Sequence, residues 1–215
     1  MMTPIESVVL SEEDEQKMEI VESSPLYLNL NLLDKIEKVP IVMDVMASMH
    51  SNLAGFSCWI YNNTDMLRIP SYTFFNYGDN RKDSKKKIRE IRGLYQINSV
   101  GRFAPAIIEA MYSGNGGDSQ ENDVEAVLYA QQSTPKADAT LLIADNNSEV
   151  RDMSLLRGIR KKVYVLICGK PRAIRINYSD FAKVTGGDII LNGGRIKLNK
   201  IGVGGQIQID NTTYF

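Results

Sequence analysis

Short segments that are apolar at almost every position, each separated from the next by one or more helix-length stretches, constrain the fold of this chain more than any other feature. They lie at residues 39–44, 139–144, 162–168 and 188–191. A strand with one buried face alternates polar and apolar residues, whereas a continuous apolar strand is buried on both faces. Such strands, alternating with helices, form a parallel sheet covered on both sides. We therefore expect an α/β protein with a doubly wound, mostly parallel sheet and helices on both faces.

Two further strands and five helices complete the predicted order of elements. The strand at residues 69–77 is rich in β-branched and aromatic residues, and residues 93–98 predict a short edge strand. Acidic residues in a first turn and glycines after a last turn, such as Gly186-Gly187, mark the ends of helices. The predicted helices cover residues 51–61, 104–112, 123–132, 152–158 and 177–185.

The chain divides by composition into a central unit and two appendages. Residues 1–35 form an acidic N-terminal extension, in which the alternating segment LYLNLNLL predicts an edge strand. Residues 36–192 form the compact unit, whose length suits a single domain. Residues 193–215 alternate around glycines and predict a C-terminal β-hairpin.

Charge and cysteine content argue against several classes of protein. The formal net charge is -1 at pH 7, which gives no overall attraction to nucleic acid or to an anionic membrane. No apolar run reaches the length of a membrane span, and the N-terminus lacks the features of a secretory signal. Cys58 and Cys168 have no metal-ligand spacing, and both lie in apolar surroundings (FSCWI and VLICG), so we expect them to be reduced and buried. Together these features favour a cytoplasmic protein with no membrane partner.

Motifs for catalysis and for nucleic-acid binding are weak or missing. The basic segment 81–92 contains no interleaved aromatic platform, so a solvated helix face is preferred over a nucleic-acid surface. His50 is the only histidine, and no nucleophile elbow, P-loop or Cys/His pair accompanies it. We expect neither an enzyme nor a nucleic-acid partner.

Two of the apolar strands deliver a carboxylate to their carboxyl ends. Asp44 closes the first strand, and Asp145 directly follows the strand at residues 139–144. Ligands of doubly wound sheets bind beyond these strand ends, where Ser48 and the glycine-rich loop containing Asp118 could also reach. Hard oxygen ligands of this kind suit Mg²⁺ or Ca²⁺. The competing interpretation is a helix N-cap for each strand-end aspartate and a plain turn for Asp118.

The order of these residues resembles that of the von Willebrand factor type A domain. The metal-ion-dependent adhesion site of that family combines Asp-x-Ser-x-Ser after the first strand, a threonine or acidic residue in a middle loop, and an aspartate after the fourth strand. The similar stretches here are Asp44-Val45-Met46-Ala47-Ser48, Gly116-Gly117-Asp118 with Glu121-Asn122-Asp123, and LLIADNN with Asp145. FFNYGDN and FAKVTGGDIIL also look like a strand with its turn and the last helix with its strand. The resemblance covers roughly residues 36–192.

The resemblance implies a Rossmann-like fold and a non-enzymatic module that binds another protein. In such domains an ion at the carboxyl edge of the sheet keeps a coordination position open for an acidic side chain of the partner. Here Met46 stands where the motif has its first serine, and a thioether is a poor ligand for a hard cation. Ser48, Asp118 and Asp145, with Asp44 acting through water, would then hold Mg²⁺ weakly, or the site is vestigial.

Two other functions stay open on the sequence alone. The same aspartates could hold Mg²⁺ in a metal-dependent phosphoester hydrolase, although no nucleophile or general base is evident. Alternatively, the chain is a metal-free structural component of an intracellular assembly. The acidic extension and the basic segment 81–92 would then dock to neighbours.

Overall fold

A computed structural model gives the fold of the central part of the chain. It describes Leu26, Leu30, Ile88 and the ranges 39–63, 71–75, 94–112, 120–168, 174–191, 194–198, 207–209 and 212–214. Asp118, the turn at residues 78–80 and the basic segment other than Ile88 lie outside the described residues. The predictions made for them therefore stay predictions.

Seven of the described strands form one sheet, with the spatial order β3-β2-β1-β4-β5-β6-β7. These strands are β1 (Ile41–Asp44), β2 (Tyr72–Phe75), β3 (Tyr95–Ile97), β4 (Ala139–Ala144), β5 (Lys162–Ile167), β6 (Ile189–Leu191) and β7 (Gly194–Ile196). The five strands from β2 to β6 in this order are parallel, whereas β3 and β7 run antiparallel at the two edges. The predicted α/β, mostly parallel sheet is confirmed.

The strand order reverses between β1 and β4. From β1 the chain moves outward to β2 and β3, then returns to place β4 on the other side of β1. The register pairs Ile41 with Leu141 and Met43 with Ile143, so the carboxyl ends of β1 and β4 lie side by side. This is the doubly wound arrangement, and the reversal marks the crevice in which such sheets bind ligands.

Four α-helices have both ends among the described residues. They are α1 (His50–Asn62), α2 (Phe103–Tyr112), α3 (Asp123–Ser133) and α4 (Ile176–Thr185). Each agrees with its predicted counterpart within one residue at either end. The segment predicted as a helix at 152–158 is a 3₁₀ helix, Met153–Gly158, and a further 3₁₀ turn, Ala47–Met49, connects β1 to α1. Within the described chain, no helix has both the length and the apolarity that crossing a bilayer requires.

The two faces of the sheet carry separate apolar cores. Ile41 and Met43 pack on one face with the helices α1 and α2, whereas Val42 packs on the other face with α3 and α4. Phe103 of α2 meets the rings of Tyr72 and Phe74 edge-on, at centroid distances of 5.5 and 5.2 Å. Because successive side chains of a strand point to opposite faces, covering both faces requires an apolar residue at nearly every position.

The glycine pair Gly186-Gly187 ends α4, as predicted, and also lets the chain approach β5 closely. Gly186 ends the helix in the left-handed region, with φ of 72°. A Cβ on Gly187 would lie 1.9 Å from the carbonyl oxygen of Val163, so no larger residue fits without a backbone shift. The predicted helix stop is confirmed.

Two predictions for the ends of the compact unit have different outcomes. The edge strand expected over LYLNLNLL is wrong at Leu26 and Leu30, which are helical and buried in the core beside α1 and α2. Residues four apart share a face in a helix and in a strand, so their spacing did not separate the two. The C-terminal β-hairpin is present, as the antiparallel pair β6–β7 and a second antiparallel pair, β8 (Ile207–Ile209) with β9 (Thr212–Tyr214).

Candidate metal centre

Asp44 and Asp145 meet at the reversal point of the sheet. Asp44 is the last residue of β1, and Asp145 follows the last residue of the neighbouring strand β4. The register pairs Met43 with Ile143, so both aspartates leave the same edge of the sheet from neighbouring strands, and the charge of Asp145 raises the pKa of Asp44. The expectation that these strands are neighbours is therefore confirmed.

Asp44 is buried and held in a tight turn. Burial raises its pKa to about 8, the hydrogen bond from the Met46 amide lowers it, and the Asp145 charge raises it further. Its Oδ1 accepts the backbone N–H of Met46 at 2.8 Å. This is an Asx turn, not a helix cap, because neither the 3₁₀ turn nor α1 receives a side-chain cap at its first residue. The helix-cap interpretation of Asp44 is wrong.

Asp145 repeats this turn on the neighbouring strand. Its Oδ1 accepts the backbone N–H of Asn147 at 2.8 Å, and its Oδ2 accepts the Asn147 side-chain amide at the same distance. The side chain is half-buried, so this carboxylate lies closer to solvent than that of Asp44. The two turns fix the directions of both carboxylates before any ligand binds.

Arg175 fastens the loop that carries Asp145. Its backbone N–H donates to Oδ1 of Asn146 at 2.7 Å, and its guanidinium donates to the carbonyl oxygens of Asn146 and Asn147 at 3.1 and 2.7 Å. Asn146 has a positive φ of 63°, a conformation that asparagine tolerates better than most residues. The residue preceding α4 thus determines the shape of the loop after β4.

A third carboxyl group, that of Asp123, is buried near Asp44. It was not predicted as a site residue from the sequence. Asp123 is the first residue of α3 and is fully buried. Burial raises its pKa well above the ordinary value, and the charges of Asp44, Asp152 and Asp145 raise it further, while a hydrogen bond from the Tyr178 hydroxyl lowers it. One feature of the sequence could have indicated its burial. Asp123 lies on the same helix face as the core residues Val127 and Ala130, four and seven residues later.

Asp152 explains how α3 is fixed beside this cluster. Its carboxylate accepts the backbone N–H groups of Val124 and Glu125 at 3.2 and 2.6 Å, so it caps α3 from 27–28 residues away. Burial raises the pKa of Asp152 to about 7, and these two hydrogen bonds lower it. Glu121 also pairs with Val150 in a parallel bridge. The loop after β4 and the start of α3 therefore form one connected structure.

The other predicted site residues stand as follows. Ser48 is exposed on the 3₁₀ turn after Asp44, and the structure brings no partner to it that would test a role as ligand. Asp118 lies outside the described residues. His50 is exposed at the start of α1, without a positioned acid or nucleophile among the hydrogen bonds described.

Both cysteines are free thiols in this structure, but they differ in burial. Cys168 is buried at the end of β5, where burial raises its pKa, and the charges of Asp145 and Asp44 raise it further. Cys58 is only half-buried on α1, so the prediction that it is buried is wrong. Its helix position turns the thiol toward Asn62 at the edge of the core.

The described residues suit a hard divalent cation in part. No group of three or more His, Cys, Asp or Glu side chains within them is arranged to hold a metal ion. Mg²⁺, however, commonly takes only one or two carboxylates and keeps several waters. Asp44 and Asp145 supply that number. The donor set is made of oxygen atoms, as this ion prefers.

Comparisons with known proteins add little to this picture. No family model matches the chain, and no curated protein matches it. A crystal structure of the Deinococcus radiodurans RO (RSR) protein matches with a TM-score of 0.34 and 13% identity, over 64% of this chain and 28% of that chain. The match thus spans less than a third of that protein, and a likeness at this level carries no argument.

Proposed function

We propose that this chain is a non-enzymatic protein-binding module of the von Willebrand factor A type, with a weak Mg²⁺ site at the carboxyl edge of its sheet. The observation that carries the proposal is the meeting of Asp44 and Asp145 at the point where the strand order reverses. Sheets of this topology bind their ligands there. A divalent cation would favour the ionised form of both carboxylates, which otherwise repel each other.

The exposure of each side chain decides its proposed role as a ligand. Asp145, half-buried, and Ser48, exposed, are the described side chains that can contact an ion on the solvent side. Asp44 is buried, and we propose that it contributes through water, as the resemblance implies. Asp118 is proposed as a further ligand on the strength of the motif alone. When bound, the cation supplies a positive charge with a position open to a carboxylate from a partner protein.

Met46 makes the site weaker than the family pattern. Its side chain occupies the position of the first serine of the motif, while its backbone N–H already holds Asp44. The turn is thus preserved, but one hard ligand is lost. We expect binding of Mg²⁺ at concentrations near those of the free cation in cells, so that occupancy responds to the partner.

Partner capture tests this function. The whole chain is immobilised and exposed to a lysate with Mg²⁺ or with a chelator, beside the variants Asp145→Asn and Asp138→Asn. Asp138 is exposed and precedes β4, so it makes the same charge change at the opposite end of that strand. Proteins retained only with Mg²⁺, lost with Asp145→Asn and kept with Asp138→Asn support the proposal. Retention that survives chelation and Asp145→Asn would instead favour a metal-free structural role.

Turnover of a phosphoester separates the proposal from the hydrolase alternative. We expect no Mg²⁺-dependent hydrolysis of p-nitrophenyl phosphate above the level of the Asp44→Ala variant. A rate that requires both Mg²⁺ and Asp44 would assign the same carboxylates to catalysis and would contradict the non-enzymatic proposal.

A further inference from the structure

Two cavities adjoin among the helices that cover the Val42 face of the sheet. The larger, of about 570 Å³, is lined by α3 and by the 3₁₀ helix Met153–Gly158. The second, of about 510 Å³, is lined by the same 3₁₀ helix and by Val184 at the end of α4. Ser154 lines both cavities, so they form one continuous depression, the α3–α4 groove. No carboxylate of the candidate metal centre is among the described residues that line it.

The α3–α4 groove presents apolar side chains at helical spacing. Its lining residues on α3 share one helix face, since they lie at positions i, i+3, i+4 and i+7: Glu125, Leu128, Tyr129 and Gln132. The 3₁₀ helix adds the half-buried side chains of Met153 and Leu155. Tyr129 is 45% exposed and Val184 is 64% exposed, although both are large and apolar. A groove of this kind suits an amphipathic helix, which inserts the side chains of one face.

The charge exposed in the groove is positive. Among the described lining residues, Arg157 is the only exposed charged side chain. Glu125 is buried instead, and its carboxylate accepts the side-chain amide of Asn122. Lys183 adds an exposed cation in the last turn of α4, against one exposed acid, Asp180, a turn earlier. An acidic partner is therefore complementary to the groove, whereas a basic one would place like charge against Arg157.

The same charge disfavours a second copy of this chain as the occupant. In an isologous dimer, the same patch of both copies meets across the two-fold axis. Two α3–α4 grooves in contact would bring the two Arg157 side chains toward each other, and like charges across an interface are unfavourable.

We propose that the α3–α4 groove binds an acidic amphipathic helix of a partner protein. The apolar face of that helix covers Leu128, Tyr129 and Val184, and its carboxylates face Arg157. This inference goes beyond the proposed function and does not rest on the metal site. It gives the chain a second binding surface, which operates without Mg²⁺.

Peptide binding in chelator tests the groove. The whole chain is titrated into a labelled helical peptide with leucines at positions i, i+3, i+4 and i+7 and glutamates elsewhere, and fluorescence anisotropy reports binding. One control peptide has lysines in place of the glutamates, and another has serines in place of the leucines. We expect the acidic leucine peptide to bind at least about tenfold more tightly than either control. Equal binding of the lysine peptide, or no binding of the acidic one, would overturn the inference.

Matched variants locate the binding site. Arg157→Glu reverses the exposed charge and Ser154→Trp fills the groove, so each should weaken binding of the acidic peptide by at least about tenfold. Ser154→Ala keeps the groove open, and Lys136→Glu makes the same charge change at an exposed residue that does not line it. Both of these should bind as the wild type does. Unchanged binding in Arg157→Glu and Ser154→Trp, or equal weakening in Lys136→Glu, would contradict the inference.

Two other results would assign the groove to a different occupant and would also overturn the inference. Self-association of the whole chain that Ser154→Trp abolishes would assign it to a second copy. Tighter binding of a peptide with the sequence of residues 11–24 than of the designed peptide would assign it to the acidic extension of this chain.

Discussion

Asp44 and Asp145 end adjacent parallel strands and are held in the same turn, each accepting the backbone N–H two residues ahead at 2.8 Å. The repetition arises from the sheet itself, because parallel neighbours present equivalent ends at one edge. It places two acids together, and only one of them is accessible to solvent. The arrangement is unfavourable for two negative charges and favourable for a cation.

The first prediction concerns pH in the absence of metal. Burial raises the pKa of Asp44 from 3.8 to about 8, so between these values the folded protein holds a proton that the unfolded chain has lost. Stability must then fall as pH rises, by up to about 1.4 kcal/mol per pH unit for one such group. We expect a melting temperature in chelator that is higher at pH 5 than at pH 8, and a smaller difference in Asp44→Asn.

Magnesium should oppose this trend. The ion requires the ionised carboxylates, so its stabilising effect should be larger at pH 8 than at pH 5. A melting temperature in chelator that rises between pH 5 and pH 8, with Asp44→Asn behaving as the wild type does, would contradict the burial and repulsion assigned to Asp44. The pKa of Asp152 is also raised, to about 7, so this group likewise makes stability fall as pH rises. Its contribution should persist in Asp44→Asn.

The second prediction concerns Arg175. Arg175→Met removes the guanidinium bonds to the carbonyl oxygens of Asn146 and Asn147 and loosens the turn that orients Asp145. We expect hydrogen exchange at the Asn147 amide to accelerate roughly tenfold, which corresponds to about 1.4 kcal/mol of local stability. The exchange rate of this amide can be measured by NMR in chelator, so that no metal contributes to it. Arg157→Met, an exposed arginine of the 3₁₀ helix, serves as the control, and equal acceleration in both variants would rule out a specific clamp.

The third prediction restores the missing ligand. Met46→Ser introduces a hydroxyl at the motif position and keeps the backbone N–H that Asp44 accepts. We expect the Mg²⁺ concentration at half-maximal stabilisation to fall by roughly tenfold, the factor that about 1.4 kcal/mol supplies. Met46→Ala removes the thioether without adding an oxygen and should not reproduce the gain. Identical Mg²⁺ midpoints for the serine and alanine variants would show that no ion contacts this position.

The sheet was predictable because strands buried on both faces appear in the sequence as nearly continuous apolar segments. The strand Ala139–Ala144 is apolar at every position except the buried Thr140, and that pattern excludes an exposed face. The glycines after α4 likewise predicted its end, since Gly186 takes a positive φ and Gly187 approaches Val163. The strand predicted over Leu26 and Leu30 was wrong because residues four apart share a face in a helix and in a strand. Only their packing against α1 and α2 decides between the two.

The site was predictable only where the chain position alone implied it. Asp44 and Asp145 follow apolar strands, so topology brings them together. Asp123 and Asp152 begin helical segments, where an acid is ordinarily exposed and stabilises its own helix. Their burial, and the cap that Asp152 provides to α3 across 27–28 residues, depend on tertiary packing that local sequence does not record.

The melting temperature of the whole chain with and without Mg²⁺ tests the central claim most directly. At a free concentration ten times the dissociation constant, binding to the folded state adds about 1.4 kcal/mol, or about 3–5 °C for a chain of this size. We predict such a rise for the wild type and for Asp138→Asn, and its loss in Asp145→Asn. A wild-type melting temperature that is unchanged by Mg²⁺, or a rise that survives Asp145→Asn in full, would contradict a cation site built on Asp44 and Asp145.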